Sequence, residues 1–141
     1  MFRAAMSESG PLLWEVECDL VTVEEDWGRA PVVLEEARAT AEVGRLLALP
    51  AFADRLEGRL REVEGRRDDA VALFRRARDA FERLDARWET ARTDLELGRA
   101  LVEMGERDQA RLLLEGSAAV FEELSAHRDL GSARDLLWQA R

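Results

Sequence analysis

The chain has 141 residues, of which 47% are hydrophobic and 36% are charged, so it can bury one core and keep a charged surface. Its formal net charge of −9 opposes contact with phosphate backbones, and we therefore expect no direct binding to nucleic acid. One cysteine and one histidine are too few for an internal disulfide or a zinc site, so neither a metal nor another cofactor is expected.

The first part of the chain predicts two helices after an ambiguous start. Residues 1–10 lack the basic and long apolar segments of a signal peptide, and no apolar run approaches the roughly 20 residues of a membrane span. We therefore expect a cytoplasmic protein that does not contact membranes. Residues 12–24 and 30–45 carry apolar side chains at helical spacing, with Pro11 and Pro31 in first turns, where proline is tolerated.

The middle of the chain predicts a second helix pair. Residues 51–64 form its first helix, and Gly65 opens the turn. Asp68 is the expected N-cap of the second helix, because a carboxylate there accepts a hydrogen bond from a first-turn N–H. The apolar residues of this second helix form a continuous i, i+3, i+4, i+7 stripe: Ala70, Leu73, Phe74, Ala77, Ala80, Phe81 and Leu84.

The last part of the chain predicts a third pair and one further helix. Residues 90–104 form a helix, Gly105 opens the turn, and Asp108 is the expected N-cap. A final helix is predicted over residues 130–141, with His127 in the connection before it. No stretch alternates β-branched residues between turn residues, so no strand is expected.

One unit is written twice between residues 51 and 126, without a gap and at the constant spacing that separates Gly58 from Gly98. Such a period is typical of helical repeat arrays. The chain therefore divides into repeats over residues 11–50, 51–90 and 91–130 and a C-terminal capping helix over residues 130–141, all in one domain. The expected fold is all-α, an array of three helix pairs and one terminal helix, seven helices in total. The recurring residues are Gly58, Arg59, Gly65, Arg67, Asp68, Ala70, Leu73, Phe81, Leu84 and Ala86, repeated as Gly98, Arg99, Gly105, Arg107, Asp108, Ala110, Leu113, Phe121, Leu124 and Ala126.

Five residues of each copy stand at the spacing of a known motif. They are Gly58, Gly65, Ala70, Phe74 and Ala77, then Gly98, Gly105, Ala110, Leu114 and Ser117. The pattern resembles the tetratricopeptide repeat (TPR), whose antiparallel helix pairs stack into an α-solenoid. Small residues such as Gly58 and Ala70 let two helices approach closely, and Phe74 is expected to fill the space between one pair and the next.

The period, which is longer than that of the common form, resembles a long variety of this repeat. That variety follows ATPase modules in large bacterial regulators, including LuxR-type transcription activators and related signalling ATPases. The first pair departs from the motif because Cys18 replaces the small glycine, and we interpret it as a small core residue. Asp54 and Asp94 replace the large aromatic residue usual near the start of the first helix.

The resemblance also implies an inner, concave surface lined by the first helices. Four guanidinium groups around two apolar side chains there would suit an acidic, partly apolar peptide or protein. The alternative is that the arginines are solvated or paired with Glu62 and Glu96. The register places six residues on this surface: Phe52, Arg55, Arg59, Arg92, Leu95 and Arg99.

The sequence indicates no catalytic constellation. It has no phosphate-binding Gly-Lys motif, no lysine and only one histidine, so we do not expect an enzyme. It predicts instead an interaction scaffold that binds a protein or peptide within a bacterial regulatory or signalling system. The alternative is a self-association module that forms homo-oligomers through its open ends or an apolar edge.

Overall fold

The computed structural model describes residues 10–141, and α-helices account for most of them. Within these residues there is no strand, which confirms the all-α prediction. In the same range no helix is long and apolar enough to cross a lipid bilayer. The seven helices are α1 (Gly10–Glu24), α2 (Ala30–Gly44), α3 (Leu49–Val63), α4 (Arg67–Arg83), α5 (Arg87–Glu103), α6 (Arg107–Glu123) and α7 (His127–Gln139).

The helices pack in chain order as an α-solenoid, each against the next. The first helices of successive pairs also contact one another, α1 with α3, α3 with α5 and α5 with α7. No contact of that extent joins the second helices α2, α4 and α6 among the described residues. The first helices therefore form the inner layer of the array and the second helices the outer layer.

The same turn ends six helices, at even intervals along the chain. At each turn one residue has a positive φ, between 51° and 82°. The N–H of the residue that follows donates to the carbonyl five positions earlier, as in Arg66 to Arg61 at 2.8 Å. This is the Schellman motif, and its regular recurrence gives the array its even spacing. The left-handed residues are Glu25, Arg45, Gly65, Asp85, Gly105 and Ser125.

The helix starts differ from the predicted ones. The N-cap residues of α4 and α6 are Arg66 and Glu106, and neither makes a side-chain capping bond. Because each helix begins almost directly after the turn glycine, Asp68 and Asp108 lie in first turns instead of at N-caps. There their charge is favourable to the helix dipole. In the same way α7 begins two residues after the left-handed Ser125, at His127, which was predicted to lie in a connection.

The core is built from the faces that the repeat predicts. Phe74, Phe81, Leu114 and Phe121 are fully buried in it. Cys18 is also buried, and burial raises the pKa of its thiol to about 12. It is therefore a core residue without thiolate reactivity at neutral pH, as the sequence analysis expected.

Candidate functional site

The six residues predicted for the inner surface lie on α3 and α5, which contact each other in the inner layer. They are spaced along each helix so that they share one face. The structure brings them together, but it gives them different environments. The three residues on α3 are Phe52, Arg55 and Arg59, and the three on α5 are Arg92, Leu95 and Arg99.

Arg55 is a core residue and not an exposed ligand group. Only 5% of it is exposed, and its guanidinium carbon lies 5.1 Å from the ring centroids of both Phe52 and Phe81. The two rings pack edge to face at 5.1 Å, and Phe52 is itself buried. The prediction that Phe52 and Arg55 are offered to a partner is therefore corrected, because their side chains join α3 to the interior.

Carboxylates within the chain hold the buried charge of Arg55. Its Nη2 lies 3.0 Å from Oδ1 of Asp19 on α1 and 2.7 Å from Oε2 of Glu89 on α5. Its Nη1 donates to Oγ1 of Thr93 at 3.1 Å. Burial opposes the charged form, but Asp19 and Glu89 outweigh it and raise the pKa of Arg55. The guanidinium therefore links three first helices instead of remaining free for a ligand.

Arg59 and Arg99 form a closed ionic cluster with Glu62 and Glu96. Arg59 lies 3.4 Å from each carboxylate, and Arg99 lies 2.6 Å from Glu62 and also contacts Glu96. Burial alone raises the pKa of Glu96, but Arg99 and then Arg59 outweigh it and lower the value. These are the pairings of the alternative interpretation, so the two arginines are neutralised within the chain. Reversing both charges would place four carboxylates together and destabilise the fold.

The open part of the inner surface lies on α5. Trp88 is 42% exposed, and the guanidinium carbon of Arg92 lies 5.0 Å from the centroid of its ring. Arg92 is also 3.5 Å from Asp19, its only carboxylate partner among the described residues. Leu95 is half-buried and packs on the core. Trp88 was not among the predicted site residues, although its position four residues before Arg92 places it on the same face.

The exposure of the inner surface changes along the array. On α3 Phe52 and Arg55 are buried. Their equivalents on α5 are Arg92 and Leu95, which are partly exposed and lie beside the exposed Trp88. On α7 the equivalent residues are all exposed: Arg128, Ser132, Asp135 and Gln139. The accessible surface is therefore the half formed by α5 and α7.

The electrostatics of this surface are balanced. The four arginines predicted to attract an acidic partner face four carboxylates, those of Asp19, Glu62, Glu89 and Glu96. An acidic ligand would have to displace these carboxylates. The surface therefore has no excess positive charge that would favour an acidic ligand. Within residues 10–141 no three acidic, cysteine or histidine side chains are grouped so that they could hold a metal ion.

No protein-family model matches this chain, and no curated protein matches it in sequence. The helical array and the side chains on its inner surface therefore carry the evidence for function. On that surface the partly exposed Arg92 lies directly over the ring of the exposed Trp88.

Proposed function

We propose that this chain is a TPR-like scaffold that binds a protein or peptide partner on its inner surface, within the cytoplasmic regulatory or signalling system of a bacterium. The observation that carries this proposal is the stacked pair formed by Trp88 and Arg92. The repeat pattern of the sequence and the solenoid packing of the helices support the same function.

A stacked Trp–Arg pair on a rigid helix is well suited to binding. Tryptophan and arginine are enriched among the residues that contribute most to interface affinity. The Arg92 guanidinium already rests on the Trp88 ring, so little side-chain entropy remains to be lost when a partner covers the pair. The pair lies on α5, in the open part of the surface and next to the filled part on α3.

The test is retention of partners from a lysate of the source organism by the immobilised chain. The variant carries Trp88→Ala with Arg92→Ala. The matched control carries Trp138→Ala with Arg141→Ala, because Arg141 stacks on Trp138 at 3.4 Å on the exposed side of α7. We expect the wild type and the control to retain the same proteins and the variant to retain at least tenfold less. Equal retention by all three proteins would place the binding surface elsewhere.

A specific observation also favours the second function, self-association. On α1 four exposed apolar residues form a stripe, since they are spaced by three or four positions. The stripe lies on the side of the helix opposite the buried Cys18 and Val21. At the other end of the array, Trp138 is 65% exposed. We propose a second copy of the chain as the alternative occupant of these ends. The stripe consists of Leu12, Val16, Leu20 and Val23.

Sedimentation equilibrium distinguishes the two functions. Self-association predicts a mass that rises with concentration and that returns to the monomer value in a variant with Val16→Glu and Leu20→Glu. The matched control is Glu24→Gln, an exposed change near the end of the same helix. A monomer mass at all concentrations, with retention of a partner through Trp88 and Arg92, would exclude self-association and support the scaffold.

A further inference from the structure

A buried aspartate of the second helix pair shows how this array holds a guanidinium. Asp54 on α3 is 4% exposed, and Arg76 on α4 binds it in a bidentate way. Nε of Arg76 donates to Oδ2 at 2.8 Å, and Nη2 donates to Oδ1 at 2.6 Å. Arg38 on α2 donates to Oδ1 at 3.0 Å. Both carboxylate oxygens are thus satisfied by arginines of the neighbouring second helices.

The next repeat keeps the aspartate and loses one arginine. Asp94 occupies the equivalent position and is 8% exposed. Arg78, which is equivalent to Arg38, donates from Nε to its Oδ1 at 2.6 Å. In the part of the chain that the structure describes, Oδ2 of Asp94 accepts no hydrogen bond. The reason is that Gly116 stands where Arg76 would recur.

A cavity of about 300 Å³ lies where that second guanidinium would be. It is bounded by the end of α4, the start of α5 and the middle of α6. A Cβ built on Gly116 would meet no atom within 4 Å, so the space beside this glycine is open. Arg87, at the border, is bound to Glu123 at 2.7 and 3.3 Å and does not take the place of the missing arginine. The walls that matter here are Asp94, Glu82, Asp85, Ala91, Gly116 and Val120.

We propose that this cavity binds the guanidinium group of an arginine side chain presented by a partner protein, with Asp94 as its main ligand. The inference names the chemistry of the partner and rests on the proposed scaffold function. Oδ2 of Asp94 accepts the hydrogen bond that Oδ2 of Asp54 accepts from Arg76. Asp85 adds negative charge at the cavity, whereas Glu82 is already paired with Nη1 of Arg78 at 2.9 Å. Ala91 and Val120 contact the aliphatic part of the arginine.

The geometry within the chain favours arginine over lysine. Arg76 reaches its aspartate from the solvent side, since its side chain is mostly exposed, and it uses two nitrogen atoms in a fork. An ammonium group cannot reproduce that fork. A guanidinium that enters from solvent can therefore occupy the cavity at Asp94 in the way that Arg76 occupies the site at Asp54.

The first test uses N-acetyl-L-arginine amide as the probe, followed by amide NMR shifts. N-acetyl-L-citrulline amide, which has nearly the same shape without the charge, is the control ligand. We expect saturable shifts centred on Asp94 and Gly116 with the arginine probe, and at least tenfold weaker binding of citrulline. Equal affinity for the two compounds, or shifts centred elsewhere, would overturn the inference.

Matched variants then test the site itself. Gly116→Arg fills the cavity with a guanidinium of the chain's own and is expected to abolish probe binding. Gly116→Ala removes the same glycine but is too short to reach Asp94, and it should bind as the wild type does. Asp94→Asn should weaken binding at least tenfold. Probe binding that survives in Gly116→Arg, with the NMR spectrum showing a folded protein, would refute the assignment.

A reciprocal variant checks the equivalence of the two repeats. Arg76→Ala vacates the site at Asp54, and the inference predicts a second saturable set of shifts there. Shifts that remain confined to Asp94 would show that the two carboxylates are not equivalent and would count against the proposal.

Partner retention separates the failure of this inference from the failure of the proposed function. Loss of a retained partner in Gly116→Arg, with retention unchanged in Gly116→Ala, supports both. A partner retained equally by both variants leaves the scaffold function standing and refutes the arginine site as the contact. A probe that binds as expected to a chain that retains no partner refutes the scaffold function and leaves the guanidinium site in place.

Discussion

The ring of Phe74 lies so close to Gly58 that a methyl group added to this glycine would meet a ring carbon at 2.5 Å. The two residues belong to the two helices of one pair, α3 and α4. One repeat later, Gly98 and Leu114 repeat the contact, where a Cβ would come within 2.7 Å of the leucine side chain. Helix approach in the array therefore depends on a glycine opposite a large side chain.

Gly58→Ala is therefore expected to destabilise the protein by about 1–3 kcal/mol, the range for overpacking a close-packed core. Phe74 is fully buried and cannot move aside without displacing its neighbours. The matched control is Gly116→Ala, on an open helix face, where greater helix propensity should stabilise by roughly 1 kcal/mol. Urea unfolding measures both. Stabilisation by the two alanines alike would contradict the close approach at Gly58.

The left-handed turns lead to a second prediction. Ser125 has a φ of 57°, a conformation that costs a residue with a side chain roughly 1–2 kcal/mol, whereas glycine adopts it freely. We expect Ser125→Gly to raise the melting temperature by about 3 °C or more, because roughly 1 kcal/mol shifts a chain of this size by 2–4 °C. Ser125→Ala is the control and should change little. At the equivalent Gly65, with a φ of 80°, Gly65→Ala should lower the melting temperature by a similar amount.

The third prediction concerns pH and the half-occupied site at Asp94. Burial raises the pKa of this carboxyl to about 6, because Arg78 offsets only part of the cost, and Glu82 and Asp79 add to it. In the unfolded chain the same group titrates near 3.8. Between these values the folded protein holds a proton that the unfolded chain has released. The contribution of Asp94 to stability is therefore full below about pH 4 and is lost as the pH rises through about 6.

Asp94→Asn removes this titration. The free energy of unfolding of the variant, relative to that of the wild type, should therefore rise by about 2–3 kcal/mol between pH 4 and pH 7. Urea unfolding at a series of pH values measures the difference. Asp68→Asn, in an exposed first turn, is the control for loss of one carboxylate. Gly116→Arg should lower the pKa of Asp94 and flatten the same profile. A wild-type profile parallel to that of Asp94→Asn would show that this carboxyl does not titrate in the window.

The other charged groups that line the cavity are Asp85 and Arg87, and no charged residue of α6 lines it.

The repeat period predicted the packing well because it reports on backbone geometry. Gly58 and Phe74 recur as Gly98 and Leu114, and a close contact recurs with them. The turns at Glu25 and Ser125 could not be predicted in this way. Neither residue is a usual left-handed residue, and only their regular spacing from the turn glycines marks them.

The candidate site was harder to predict because charge normally indicates exposure. Arg55 was therefore predicted to be available to a partner, although its register equivalent is the half-buried Leu95, a signal that pointed to burial. The same bias concealed the site at Asp94. The change from Arg76 to Gly116 is visible in the sequence, but it gains meaning only when the side chain of Arg76 is seen on Asp54.

The final prediction concerns α7, which packs on α5 and α6. Leu130 and Ala133 pack with Phe121, and Leu136 and Leu137 pack on the cluster that contains Leu114. A capping helix was predicted here from the sequence. Trp138 itself does not cover the core. Trp138 is mostly exposed and has the Arg141 guanidinium stacked on its ring.

Deleting residues 127–141 should therefore expose Phe121 and the apolar faces of α5 and α6, and cause dimerisation or aggregation. Light scattering coupled to size exclusion measures the mass, and a thermal melt measures the stability.

Trp138→Ala is the matched control. It leaves the packed side of α7 intact and should keep both the melting temperature and the monomer or oligomer state of the wild type. A truncated chain with the wild-type mass and melting temperature would show that α7 does not cap the core. Loss of an oligomer in Trp138→Ala alone would instead place Trp138 in a contact between two copies of the chain, as the self-association alternative requires.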